Sequence, residues 1–395
     1  MNPLAVSAYS LVSSIGRTRQ ETLAALIGRS GGLRPCDFLD FDLPTQVGRV
    51  DGLEQALIRG VLAHFDCRNN RLAEMALQAD GFAERVAQVA SRLGAGRIAV
   101  ILGTSTSGIL ESELAYRRRD AASGALPPEF NYQHVHNTFS VVDYVRHRLA
   151  LTGPAQAIST ACSSSAKAFA SASRMIDAGF ADAAVVGGVD SLCGTTLCGF
   201  HALELTAGGP CRPADASRDG ISIGEAAGFA LLERSSESTT PALLGYGESS
   251  DAYHMSSPHP EGLGAQLAMR QALDRAGLAP ERIDHVLLHG TGTRANDAAE
   301  DRAITSLFGA RPGCSSIKGW TGHTLGAAGV VNAIVALLSL ESDFVPGTLQ
   351  TARVDPAFGS RVLIENGSGP QRVILSNAFG FGGNNASLLF GWPGP

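Results

Sequence analysis

The 395-residue chain lacks a basic-then-apolar N-terminal stretch, and no apolar run reaches 18 residues. A secretory leader and a membrane span are therefore not expected, and the expected compartment is the cytoplasm. Regular cysteine spacing is also missing. The seven cysteines (36, 67, 162, 193, 198, 211 and 314) form no framework, and an odd number suits a reduced protein better than a disulfide-stapled one. Cys193 and Cys198 have no second Cys/His pair nearby with metal spacing, so no metal site is expected. Positive charge is short as well: 31 basic residues against 37 acidic ones leave a net charge of −6. That argues against nucleic acid or an anionic membrane as the general partner. With 44% hydrophobic and 17% charged residues, disorder is excluded too.

Glycine, by contrast, is abundant. Its 46 copies exceed the usual share of about 7% and imply many tight turns and close backbone approaches. Hydrophobic runs at 97–103, 183–188, 228–233, 285–290 and 372–377 read as strands. Helical patterns fall at 19–28, 71–93, 162–178, 262–277, 297–307 and 323–341. The alternation predicts an α/β layered architecture. The polar run "RSSESTT" at 234–240 divides it into halves, 1–236 and 237–395. "AISTACSSSAKAFASASRMI" and "CSSIKGWTGHTLGAAGVVNAIVALL" share one grammar, a strand end followed by a small-residue helix, which is compatible with duplication.

Four segments carry chemistry. Cys162 stands among hydroxyl residues where a strand turns into a helix, a place that suits a small apolar filler or a nucleophile whose thiolate the helix N-terminus favours. His289 ends a hydrophobic strand in "LLHGTGTRANDAAE", followed by Thr291 and Thr293, which point the same way on an extended segment. "SSIKGWTGHTLGAAG" places Lys318 five residues before His323. "SNAFGFGGNNAS" is a glycine-rich turn with Phe379 and Phe381. Singly, each has a structural explanation; as a set they suit one reaction. A thiolate holds an acyl group as a thioester. Two hydrogen-bonding histidines stabilise the enolate left when a malonyl thioester loses carbon dioxide. Backbone N–H groups of Cys162 and the glycine-rich turn at Phe381 form an oxyanion hole.

These segments resemble, in order and spacing, a β-ketoacyl-acyl-carrier-protein synthase of the elongating Cys-His-His type, in the thiolase-like superfamily. "CRPADASRDGISIGEAAG" (211–228) and "GESSDAYHMSSPHPEG" (247–262) extend the resemblance nearly end to end. It implies a five-layer αβαβα fold of two similar halves, with Cys162 acylated and His289 and His323 as the decarboxylation pair. It further implies Lys318 supporting His323, Thr291 and Thr293 binding pantetheine, Phe381 gating the acyl pocket beside Phe379, and His254 on a mobile loop next to that gate. No resident cofactor is implied, because acyl and malonyl groups arrive on the phosphopantetheine of an acyl carrier protein. The implied partners are that carrier and either a second copy or a chain-length-factor-like homologue. The chain departs from the family's pattern at Asn384 for Thr, Ala378 for Ser and Asn332 for Glu. The last leaves Lys318 to lean on Asp297 or Glu300.

"GGNNAS", "GESSDAYHMSSPHPEG" and "RNNRLAEMAL" (68–77) resemble synthases of bacterial aryl-polyene clusters, with fatty-acid elongation as the rival pathway. Arg117, Arg118 and Arg119 are the densest basic cluster, either a carrier-docking patch or a solvated helix face. A non-catalytic homologue and a cysteine hydrolase remain as other classes. The paired histidines weigh against the hydrolase, which needs one base and an orienting group.

Overall fold

A computed structural model describes residues 1–234 and 239–393. The division expected between 236 and 237 falls outside the described residues. Strands β1 (Leu4–Ser13), β2 (Ile98–Gly103), β3 (Ala155–Ile158), β4 (Ala183–Asp190) and β5 (Ala226–Arg234) build the first half in the order β3-β2-β4-β5-β1. Strands β6 (Ala242–Ser250), β7 (His285–Leu287), β8 (Gly313–Ser315), β9 (Val373–Gly380) and β10 (Asn384–Gly391) build the second as β8-β7-β9-β10-β6. In each half the first, second and third strands in this order run parallel, and the remaining two neighbours pair antiparallel. One topology is thus used twice. The sheets touch where β1 meets β6, at Leu4–Leu243 and Ala5–Ala242.

Helices α1 (Arg68–Gln78), α2 (Phe82–Leu93) and α3 (Ser140–Arg148) cover the outer face of the first sheet, and α4 (Ser164–Asp177) its inner face. On the second sheet, α5 (Leu263–Ala276) and α6 (Arg294–Phe308) lie outside, and α7 (Ala328–Ser342) lies inside against α4. The layers are αβαβα, the thiolase-like order. Small residues in α4 and α7 let the middle layer close. A Cβ on Gly329 would stand 2.5 Å from the Ala166 nitrogen, and the Val330 N–H donates to Ser165 Oγ at 2.9 Å. Averaged over 18 residues, Leu325–Ser342 does reach the hydropathy of a membrane span, 1.7, but 89% of it is buried inside the protein. It is the core helix of a five-layer fold, apolar on all sides because sheets and helices surround it.

Two helix expectations need correction. The pattern over 71–93 is two helices, broken where Asp80 and Gly81 take φ of 57° and 70°. Left-handed backbone cannot continue a right-handed helix. The helix expected from His323 starts only at Ala328, so His323 stands on the approach to it. The motif at 68–77 is α1, whose first residue is structural. Arg68 is buried and forks onto Glu225 (2.9 and 2.6 Å), whose carboxylate also accepts the Val50 and Leu192 amides at 2.9 Å. That network fixes the excursion between β4 and β5 (residues 191–225), which roofs the centre of the molecule.

Candidate active site

The chain leaves β3 and turns sharply at Ala161, a non-glycine residue with φ of 52°. Hydroxyls tie the turn. Ser164 Oγ accepts the Thr160 N–H (2.9 Å) and donates to the Ala161 carbonyl (2.6 Å), while Ser163 Oγ donates to the Thr160 carbonyl (2.9 Å). The hydroxyl-rich sequence around Cys162 therefore satisfies a strained backbone in a dry interior. Cys162 precedes α4 by two residues and is only 6% exposed. Burial pushes its thiol up to about 11, against the opposing pull of Lys318 and the Phe381 N–H. Desolvation thus outweighs the helix N-terminus that was expected to favour the thiolate.

His323 arrives from the second half. Its Nε2 lies 3.0 Å from Cys162 Sγ, and its Nδ1 accepts the Leu325 N–H at 3.2 Å. An acceptor Nδ1 puts the proton of the neutral ring on Nε2. His289 stands beside it, ring centroids 5.2 Å apart and nearly perpendicular. Lys318 Nζ donates to the His289 carbonyl and approaches its Nδ1 at 3.5 Å, which again leaves Nε2 as the proton-bearing atom. Burial first, then the charge of Lys318, holds both imidazoles well below the ordinary 6.5. Both histidines are therefore neutral hydrogen-bond donors.

Lys318 rests on His289 and not, as the resemblance implied, on His323. Its countercharge is Glu300, ahead of Asp297. Glu300 accepts the His289 and Gly290 amides at 2.8 Å each and the Asn377 side chain at 3.1 Å, and burial raises it to about 7. Asn332, where the family pattern has Glu, donates to the Leu288 and Asn377 carbonyls at 3.0 and 3.1 Å. It braces the two strands that carry His289 and the glycine-rich turn. His285 faces away, bonded to Ser315 Oγ at 2.8 Å, and plays no part here.

A cavity of about 610 Å³ opens over these groups, lined by Cys162, His289, His323, Thr291, Thr293, Phe379 and Phe381 among others. The Thr291 and Thr293 hydroxyls lie 2.9 Å apart, so both do point one way. Phe381 packs against Phe200 with ring centroids 5.6 Å apart, and Phe379 lies 6.1 Å from His289. Gly380 allows the turn to pass close to the nucleophile, since a Cβ there would stand 3.2 Å from the Cys162 nitrogen. His254 is exposed, turns back onto the Ser256 N–H, and does not line the cavity. Ser256, Ser257 and Pro258 of the same loop line it instead. The arginine cluster is largely neutralised, with Arg117 on Asp40 and Arg118 on Glu129. Sequence reasoning missed Phe200, Leu205 and Ile221, which reach the cavity from the excursion after β4. Their positions depend on the path of that excursion, which the segment at 211–228 does not by itself reveal.

Donor atoms of Cys162, His289 and His323 all lie within 4.8 Å of one another, close enough to ligate a cation. Lys318 behind His289 opposes a second positive charge there.

The fold and the Cys-His-His convergence are those of a thiolase-like acyltransferase. Within that class, the chain belongs to the β-ketoacyl synthase family. The model described as "Beta-ketoacyl synthase, N-terminal domain" matches residues 68–238 and that of the C-terminal domain residues 241–352. The 3-oxoacyl-[acyl-carrier-protein] synthase 2 of Mycobacterium tuberculosis is 31% identical over an alignment covering 98% of this chain and 96% of that protein. Among solved structures, the ketosynthase ApeO in complex with its chain length factor ApeC from Xenorhabdus doucetiae is 36% identical. It has a TM-score of 0.91 and covers 99% of this chain and 98% of its own. The ishigamide ketosynthase/chain length factor is 27% identical with a TM-score of 0.90 and full coverage of both chains.

Proposed function

We propose that this synthase elongates carrier-bound acyl chains by decarboxylative Claisen condensation. The observation that carries the reading is the neutral histidine pair beside a buried thiol in one cavity, with His323 Nε2 3.0 Å from the sulfur and a ring nitrogen of His289 within 4.8 Å of both. In the first step the Cys162 sulfur attacks an acyl-carrier thioester. An S–C bond forms, the carrier thiolate leaves, and it takes the thiol proton. A thiol held near 11 is a weak nucleophile at rest, so proton loss has to accompany attack. Burial then favours the neutral thioester that results. In the second step, malonyl carrier loses carbon dioxide. The C–C bonding pair passes into the thioester as an enolate, and the Nε2–H groups of His289 and His323 hydrogen-bond its oxygen. The enolate carbon attacks the Cys162 thioester, and the N–H groups of Cys162 and Phe381 take the oxyanion. Collapse expels the Cys162 thiolate, which takes a proton from water. The carrier leaves with a chain two carbons longer.

Thr291 and Thr293 face the pantetheine arm, and no resident cofactor is needed. The pathway we favour is aryl-polyene assembly, supported by the "GGNNAS" and "GESSDAYHMSSPHPEG" segments. A chain-length-factor-like partner fits the ketosynthase pairs among the similar structures. Intact-protein mass spectrometry tests the reading. Cys162 should gain the acyl mass from an acyl carrier, and malonyl carrier should then yield a product one keto unit longer. Failure to acylate, alone and with a synthase-like partner, would leave the non-catalytic class standing. A clear preference for saturated over conjugated chains would move the protein to fatty-acid elongation.

A further inference from the structure

Lys167 follows the nucleophile turn in sequence but has no role in the chemistry described above. It lies on α4, five residues after Cys162, half-buried against the second half of the molecule. Its Nζ donates to Asn384 Oδ1 at 3.1 Å. Burial lowers its pKa, and Glu248, the acid whose charge reaches it, is already held by Arg174. A half-buried ammonium whose hydrogen bond goes to a neutral amide is a costly arrangement for a purely structural purpose. Asn384 is the residue that departs from the family's Thr, and it closes the Gly380–Asn384 pair at the foot of the turn carrying Phe381.

Besides the Phe381 N–H that reaches Cys162, the turn has two sets of ties. On the solvent side, the Gly382 N–H donates to the Met255 carbonyl (2.7 Å) and the Asp251 N–H to the Gly383 carbonyl (2.9 Å). Asn385 Nδ2 adds a bond to Asp251 Oδ1 at 2.8 Å. These fasten the turn to a loop whose tip is exposed, Tyr253 by 56% and Met255 by 79%, while its base is closed by the His259 N–H on Asp251 Oδ2 at 3.1 Å. Turn and loop can therefore shift together without losing those bonds. The Lys167–Asn384 contact instead joins the turn to the nucleophile helix, which lies in the core.

We propose that Lys167 is a positioning residue: through Asn384 it latches the Phe381 turn to the helix of Cys162, and so sets how large a chain reaches the sulfur. The proposal rests on the ketosynthase reading for its purpose, but its test needs no carrier. Cys162 of the full chain is alkylated with iodoacetamide and with an N-dodecyl iodoacetamide, and peptide mass spectrometry separates it from Cys36 and Cys198. Lys167→Met and Asn384→Ala should each raise the rate with the long reagent about 5-fold, the factor one hydrogen bond of this type represents, and leave the small-reagent rate unchanged. Lys167→Arg should behave as wild type. The double variant should match either single one. Both reagents accelerating together, no change with either, or multiplied single effects would overturn the latch. Failure of wild-type Cys162 to acylate from carriers would instead overturn the ketosynthase reading and leave these rates to decide the latch alone.

Discussion

Ala161 and Leu325 occupy one backbone position in the two halves. Each has φ of 52°, and each precedes the central helix of its half by three residues. The joint is the same, but its use differs. In the first half the residue after the joint, Cys162, offers sulfur. In the second half the residue two before it, His323, offers Nε2–H, and the joint residue's own N–H fixes its tautomer. A second asymmetry lies at the ends of β4 and β9. The first half leaves β4 for an excursion (191–225) that roofs the cavity, while the second returns through the three-residue turn Phe381–Gly383. A duplicated scaffold thus delivers two backbone ends to one point, and unlike residues at those ends make the chemistry.

The largest effect should come from removing the first half's contribution. Cys162→Ala should lower condensation by about 10⁴-fold or more, while malonyl-carrier decarboxylation survives because its donors lie in the other half. Product assays run with and without acyl carrier measure both. His323→Ala is the reciprocal test. Decarboxylation should fall by about 10²–10³-fold with some Cys162 acylation left. If acylation vanished and decarboxylation persisted, the roles of the halves would be reversed.

The halves should also part in their response to pH. With its thiol held near 11, Cys162 should be alkylated about tenfold faster per pH unit between 7 and 9, without a plateau. Selectively labelled His289 and His323 should show no NMR inflection near 6.5, because burial holds both well below it. The sign for stability follows. Groups kept neutral below their unfolded value of 6.5 stabilise the fold fully above that pH and progressively less as pH falls beneath it. A ring titrating at 6.5 would remove the neutral-donor argument.

Much of this was legible in the sequence. Cys162, His289 and His323 sit at element ends whose apolar runs are readable, and their convergence followed from the family pattern. The resemblance assigned Lys318 to His323, whereas the turn at Gly322 (φ 75°) sends the lysine back to His289. His254 lies on the right loop but turns outward, a choice made by local hydrogen bonds that periodicity does not encode. β1 escaped because its residues, LAVSAYSLVS, do not alternate apolar with polar as a half-buried strand does. Lys167 escaped because its partner lies 217 residues away.

The smallest effects separate the two joints themselves. Both residues bear a left-handed backbone that costs an L side chain about 1 kcal/mol, so glycine relieves strain at either. At Ala161 the relief is offset by the greater freedom of glycine in the unfolded chain, and little packing is lost. Ala161→Gly should change stability by less than about 1 kcal/mol in chemical denaturation. Leu325 is 4% exposed and packs with Phe38, Leu192 and Ile221. Leu325→Gly should therefore cost about 2–4 kcal/mol despite the same relief, because the lost side chain leaves a cavity. Equal effects at the two sites would mean that the joint, and not what each half packs around it, sets the energy. The broken symmetry would then be confined to the reacting side chains.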